Sequence, residues 1–413
     1  MRCAKMLRTT TFAGLATVAL GCGDDQAAAG GQGATEGSST AGAVTGNDDT
    51  PDDAPDDTPD DAPDDAPDDG TGSSDDSRSS TDTASEATAT SLDPTGSEDG
   101  GSSESTGDPP VIGFQGLCYQ SAPDGAEAPP PLPAYTGGEC PQLVPGFNDL
   151  VSMGNDRSVL VVQPSDLKDD EVLPVAVLWH WLGGSANSFL EQGDVQAAVD
   201  EFRFIALIPE EKGDLLFRWP FSVLDSDARA EEEFVFFDDM LACAAASWTI
   251  EPNCVTSVGV SAGALWTAQL ASGRGEYLAS AVSLSGGTGG LVKPWMGSTH
   301  KMPFFVLWGG PIDICVAINF EDTSHEMEDD LDADGHAIVE CIHNCGHGVP
   351  PFGQPEGVPA FTPMWTFFLD HPYWLEDGET SWQAGIPEDL PMWCDVGPGS
   401  ATPRVGECDP SQC

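Results

Sequence analysis

One pentapeptide constrains this chain more than any other stretch: Gly259-Val260-Ser261-Ala262-Gly263. It follows an apolar run, Val255–Val260, and precedes Ala264-Leu265-Trp266-Thr267-Ala268-Gln269-Leu270-Ala271, which has helical character. Strand, Gly-x-Ser-x-Gly, helix is the setting in which a serine can be pushed out of a sheet on a sharp turn. The flanking glycines leave room where a Cβ would strike neighbouring backbone. The helix that starts there turns N–H groups and the positive end of its dipole toward the serine. A chain with 47 glycines can contain this pattern by chance, so the flanks and the downstream partners decide its meaning.

The partners follow in the order serine, acid, histidine that such an elbow requires. Pro303-Phe304-Phe305-Val306-Leu307-Trp308 reads as a strand and runs through Gly309-Gly310-Pro311-Ile312 to Asp313, the candidate acid. Asp322 and Asp330 compete with it but fall in the next predicted helix. Ala337–Ile342 predicts another strand, and Asn344-Cys345-Gly346-His347-Gly348 the loop after it, with His347 the candidate base. His343 is its competitor, close to the strand end. The oxyanion hole needs the N–H of Ala262 and a second N–H from the loop after an early strand. Val175–His180 followed by Trp181-Leu182-Gly183-Gly184-Ser185 places Leu182 there. No metal or cofactor is expected in this chemistry. Cys341, Cys345, His343 and His347 do not have the spacing of a zinc site. Asp330-x-Asp332-x-Asp334-Gly335 lacks the closing Glu of a calcium loop and reads better as a helix end. Trp181, Trp219, Trp266 and Trp295 are candidates to line an acyl or aryl pocket, although core packing is the commoner use of Trp.

From Val111 onward, short apolar runs alternate with amphipathic ones, the pattern of a mostly parallel sheet with helices on both faces. Strands are predicted over 158–162, 174–179, 204–208, 254–260, 278–284, 303–307 and 337–342. Helices are predicted over 186–202, 231–248, 262–271, 321–332 and 363–370, and residues 111–150 are expected to wrap the domain edge. Residues 371–413, rich in Pro, Trp and Cys, are expected to form a cystine-bound tail.

The four blocks 178–185, 259–263, the Asp313 loop and Cys345-Gly346-His347-Gly348 resemble the polyhydroxybutyrate depolymerase, feruloyl esterase and acetylxylan esterase group of secreted α/β-hydrolases. The resemblance covers roughly residues 160–370. It implies the α/β-hydrolase fold and a serine carboxylic-ester hydrolase acting on a polyester or on feruloyl or acetyl esters of polysaccharide. His180-Trp181 stands where that group usually has His-Gly, and the acid loop is one residue longer. Two rival readings are a non-catalytic binding protein on a degraded hydrolase fold and a prolyl-oligopeptidase-type peptidase. The second would bring propeller repeats, which the sequence does not contain.

Charge bounds the partners. The chain carries 14 Lys+Arg against 69 Asp+Glu, a net −55. Residues 111–413 keep 10 basic and 45 acidic residues, a net −35, so the folded part is itself a polyanion. No basic footprint for nucleic acid exists, and anionic polymers such as pectate are disfavoured. An ester substrate and a monomeric protein are expected.

The N-terminus combines Arg2, Lys5 and Arg8 with a short apolar run, Thr11–Leu20, too short to span a bilayer. It ends in Ala19-Leu20-Gly21-Cys22, which resembles a bacterial lipobox and implies lipid on Cys22, with residues 1–22 as the signal and the protein held at the cell envelope or secreted. Residues 23–110 are expected to be an unfolded linker. Prolines at 51, 55, 59, 63 and 67 separated by aspartate pairs favour an extended tract and fix no calcium geometry. Apart from Cys3 and Cys22, ten cysteines remain, an even number that suits disulfides in an exported chain. Sequence proximity suggests Cys118–Cys140, Cys243–Cys254 and Cys394 with Cys408 or Cys413. A bridge from Cys315 to Cys341 or Cys345 would tie the acid loop to the histidine loop.

Overall fold

The computed structural model describes residues 116–388 and 390–408. The expected signal, Cys22, the linker and the start of the folded domain at 111 lie outside them, as does Cys413.

The strands are β1 (Gly146–Ser152), β2 (Asn155–Val162), β3 (Leu173–Trp179), β4 (Ile205–Pro209), β5 (Ile250–Val260), β6 (Ser280–Leu284), β7 (Phe304–Trp308), β8 (Ile314–Cys315), β9 (Ile318–Asn319), β10 (Ile338–Ile342) and β11 (Cys394–Val396). Nine of them make one sheet in the order β1-β2-β4-β3-β5-β6-β7-β10-β11, while β8 and β9 form a separate small hairpin. The central ladder from β4 to β10 is parallel, and antiparallel pairs close each side: β1 and β2 beyond β4, and β11 beyond β10. Strands β3, β4, β6, β7 and β10 are buried at every residue. That is why they read as unbroken apolar runs: both sheet faces are covered.

The helices are α1 (Ala186–Gln192), α2 (Val195–Phe202), α3 (Asp227–Ser247), α4 (Ala262–Arg274), α5 (Phe320–Asp334) and α6 (Thr362–Asp370). The two apolar clusters lie on opposite sheet faces. One gathers Val175, Val177, Phe236, Leu265 and Trp308; the other gathers Ala176, Leu178, Val199, Phe305 and Trp365. Alternate residues of β3 thus feed alternate faces, as strand geometry requires. Trp219 and Trp266 are fully buried and both meet Trp179 edge to face, so they are core and not pocket lining. Trp295 donates its indole N–H to Asp334.

Three expectations change. The single helix over 186–202 is two, broken at Gly193 and at Asp194, whose backbone is left-handed. Residues 146–152 form an edge strand with alternating exposure, hidden in the sequence because only half its face is apolar. The nearest-neighbour disulfides are absent among the described residues. Cys118 pairs with Cys254, Cys140 with Cys243, Cys341 with Cys394 and Cys345 with Cys408. Cys315 is also disulfide-bonded, with neither Cys341 nor Cys345 as its partner. Pairing follows sheet and helix adjacency, not separation along the chain: Cys341 and Cys394 are register partners of β10 and β11. Gly335, left-handed at φ 88°, ends α5, so the Asp330–Asp334 stretch is a helix terminus, as expected. No helix among the described residues is long and apolar enough to cross a membrane.

Candidate active site

Ser261 sits between β5 and α4 with φ 54° and ψ −116°, a conformation that non-glycine residues rarely adopt. Its own N–H is held by Leu284 O at 2.9 Å, and its carbonyl accepts from Ala264 and Leu265, so sheet and helix over-determine the strained turn. The two motif glycines are steric necessities. A Cβ on Gly259 would lie 2.1 Å from Gly263 O, and one on Gly263 would lie 2.0 Å from Trp179 O. The second contact shows that the start of α4 is pressed against the backbone leaving β3.

His347, Asp313 and Ser261 come together although 86 and 34 residues separate the pairs. His347 Nε2 is 2.8 Å from Ser261 Oγ, and His347 Nδ1 is 2.6 Å from Asp313 Oδ1. With Nδ1–H donated to the carboxylate, Nε2 faces the serine hydroxyl as an acceptor. Asp313 is fully buried, and its other oxygen accepts from Ser285 Oγ at 2.8 Å and from the Gly309 N–H at 2.7 Å. Three hydrogen bonds to one carboxylate offset the desolvation that burial imposes on its charge. Phe320 stacks on His347 at 4.3 Å between centroids, covering one imidazole face. The β8–β9 hairpin joins the two, since it runs from Asp313 to Phe320 and is closed by Phe320 N–H donating to Asp313 O.

The competing residues are engaged elsewhere. His343 follows β10 directly and is buried, with Nδ1 accepting from Cys345 N–H; burial pushes its pKa down to about 4. Asp322 and Asp330 lie on α5, where they accept from Asn319 and Thr288. Cys341 and Cys345 are in disulfides, which removes the thiolates a zinc reading would need. The sequence reading did not single out Ser285, Phe320 or the Gly309 N–H. Ser285 had one visible signal: it is the polar residue ending the strand beside the elbow.

At the expected oxyanion donors, Ala262 opens α4, where first-turn N–H groups have no acceptor within the helix. Trp181–Gly184 forms a turn closed by Gly184 N–H to Trp181 O at 2.9 Å, with Leu182 inside it. The residues that depart from the usual His-Gly fit as packing groups. His180 is buried, its Nδ1 is 3.0 Å from Trp181 O, and its carbonyl accepts from Trp219 Nε1 at 2.8 Å. Burial lowers its pKa, so the ring is neutral and donates to Trp181 O from Nδ1. Trp181 packs on Phe189 of α1 at 6.1 Å.

No family model and no curated relative matches the chain. Solved structures do. The native crystal structure of pOPH superposes with a TM-score of 0.52 over 63% of this chain and 97% of that one, at 16% identity. A pOPH variant in complex with pNPB gives 0.51 over 64% and 97%, again at 16% identity. The fold is that of the α/β-hydrolases. An acetyl xylan esterase from Aspergillus awamori, at 15% identity over 46% of this chain and 80% of its own, reaches a TM-score of only 0.38 and carries no weight. Within this fold, catalytic groups gather at the C-terminal edge of the parallel strands. Ser261, Asp313 and His347 follow β5, β7 and β10 at that edge.

Two cavities bear on access. A small one of about 80 Å³ is lined by Phe217, Phe221, Leu224, Leu291, Val316 and Ile318, among others. Its walls come from segments after β4, β6 and β7, the same edge as the triad. A wider one of about 560 Å³ includes Leu167, Lys168, Trp248 and Thr249, residues that precede β3 and β5. It opens at the opposite edge and does not serve Ser261.

Proposed function

We propose that this chain is a serine carboxylic-ester hydrolase. The observation that carries the reading is the unbroken relay from Ser261 Oγ through His347 to a buried Asp313. His347 takes the proton from Ser261 Oγ as the oxygen attacks the ester carbonyl. Asp313 orients the imidazole and stabilises the imidazolium that forms. The N–H groups of Ala262 and Leu182 hold the tetrahedral oxyanion, each contributing about 3–4 kcal/mol in sites of this kind. His347 then protonates the leaving alcohol, and water activated by the same ring releases the acyl group. A binding protein would have no use for this relay.

The apolar walls around Val316 and Ile318 favour an uncharged acyl or alcohol group, and the net charge of −55 repels anionic ones. A polyester such as polyhydroxybutyrate, or feruloyl or acetyl esters of polysaccharide, meets both conditions. We place the protein outside the cytoplasm, exported through residues 1–22, anchored by lipid on Cys22 and held off the membrane by residues 23–110. The four cystine pairs and the disulfide-bonded Cys315 of the described residues suit an oxidising compartment.

Labelling of the purified protein by a fluorophosphonate, beside Ser261→Ala, tests the mechanism. Labelling and p-nitrophenyl ester turnover should both vanish in the variant. A correctly oxidised wild-type protein that takes no label would refute it. Location is tested separately: Cys22→Ala should move the protein from the membrane fraction to the soluble one.

A further inference from the structure

Away from the triad, three side chains form a group of a different kind. His325 and Glu328 lie one turn apart on α5, and Glu340 reaches them from β10. One donor atom from each lies within 4.8 Å of the other two. Glu328 and Glu340 are buried, while the His325 side chain is 52% exposed and leaves a path from solvent. His325 also packs edge-on against Trp308, the last residue of β7.

Two buried carboxylates at this separation cannot both carry charge unless something positive lies between them. Glu340 is held as an acceptor, by Gly399 N–H on one oxygen at 3.0 Å and Ala401 N–H on the other at 2.7 Å. Each of its oxygens keeps a second lone pair. Glu328 Oε1, by contrast, is buried with no hydrogen-bond partner. A proton held between the two carboxyls is the competing arrangement, and it leaves His325 Nδ1 only its 3.4 Å contact with Glu328 Oε2. A metal ion bound through both oxygens of Glu328 would give Oε1 a partner and take His325 as a ligand. His325 Nδ1 and Glu328 Oε2 are 3.4 Å apart, the edge expected of a tetrahedron with bonds of about 2.1 Å.

We propose that His325, Glu328 and Glu340 bind a divalent transition metal of the zinc class, one that takes nitrogen and oxygen donors together. The site departs from the metal-free expectation of the sequence but is no part of the ester chemistry. Its ligands clamp α5 to β10. The first of these elements begins with Phe320 on His347, and the second leads into the histidine loop.

The test uses the whole oxidised protein, stripped with a chelator and titrated with Zn²⁺ by calorimetry. High salt and excess Mg²⁺ suppress binding to the acidic surface. Co²⁺ absorbance then reports coordination, since tetrahedral sites give intense visible bands. One saturable equivalent is expected, with a raised Tm and a tetrahedral Co²⁺ spectrum. His325→Ala, half-exposed and so harmless to the core, should weaken binding by at least about tenfold to a hundredfold. Glu328→Gln, an isostere that removes the buried charge, should do the same. Absence of saturable Zn²⁺ binding in the wild type would overturn the site, as would equal binding in both folded variants.

Discussion

The two halves of the candidate active site are held in opposite ways. The acid and histidine half is tied by side chains and covalent bonds: Ser285 and Gly309 on Asp313, Phe320 on His347, Cys345–Cys408 within the histidine loop, and Arg404 donating to Asn344 Oδ1 at 2.6 Å. The proposed oxyanion half has almost none of this. It rests on backbone pressed against backbone, where Gly263 meets Trp179 O, with His180, Trp219 and Trp181 packed behind it. Redundant polar ties let the first half tolerate the loss of any one outer member. A close approach that only glycine permits has no such reserve.

The largest expected effect lies at the centre of the first half. Asp313→Asn should keep the fold, because the amide oxygen can still accept from Ser285 and Gly309. It should lower kcat by about 10⁴-fold, since the amide no longer selects the right imidazole tautomer or stabilises its charge. A kcat within tenfold of wild type would remove Asp313 from the mechanism.

Gly263→Ala strikes the other half. The added carbon must displace the Trp179 carbonyl, so turnover should fall about 10²- to 10³-fold through loss of oxyanion contacts. Fluorophosphonate labelling should slow in parallel while the far-UV spectrum stays native. A variant with full activity would mean that the two backbones are not pressed together in solution.

The outer ties should matter less. Ser285→Ala removes one hydrogen bond from Asp313, worth about 1.5–3 kcal/mol for a charged acceptor, so kcat/KM should fall roughly tenfold to a hundredfold with little change in Tm. Replacing Cys345 and Cys408 together by Ser should lower Tm and cost activity less than Gly263→Ala does. If the order of these two reverses, the contrast drawn between the halves is wrong.

The smallest effect is a pH slope. Burial pushes His343, His371 and His300 each down to about 4. At these three rings the folded protein therefore binds fewer protons than the unfolded chain between pH 6.5 and about 4, while Asp238, which burial pushes up to about 6, works in the opposite sense. The stability tied to these neutral rings is complete above pH 6.5 and is lost as pH falls through that window. Unfolding free energies from urea titrations between pH 7.5 and 4 should fall, by an amount on the order of a few kcal/mol, and His343→Gln should flatten part of the slope. A slope that His343→Gln leaves unchanged would place that ring in water.

Much of this molecule is local and so was open to a reading of the chain alone. Strand β3 is buried on both faces, so its seven residues are apolar in an unbroken run. Ser261, Asp313 and His347 each follow a strand in a glycine-bearing loop, and the chain order of such loops is set by the direction of the parallel ladder. Gly335 marks the end of α5 because only a left-handed residue closes that helix without strain. These features depend on neighbours within a few residues. What tertiary structure alone decided depends on pairs far apart. Cys118 finds Cys254 across 136 residues because the short turn Leu117–Tyr119 packs on β5, a proximity with no trace in local spacing. Ser285 becomes a tie to Asp313 only because β6 lies between β5 and β7. Glu328 and Glu340 are two ordinary acids among 69, until α5 folds over β10 and buries them side by side. Local sterics and periodicity are written residue by residue; adjacency across the sheet is a property of the whole packed core.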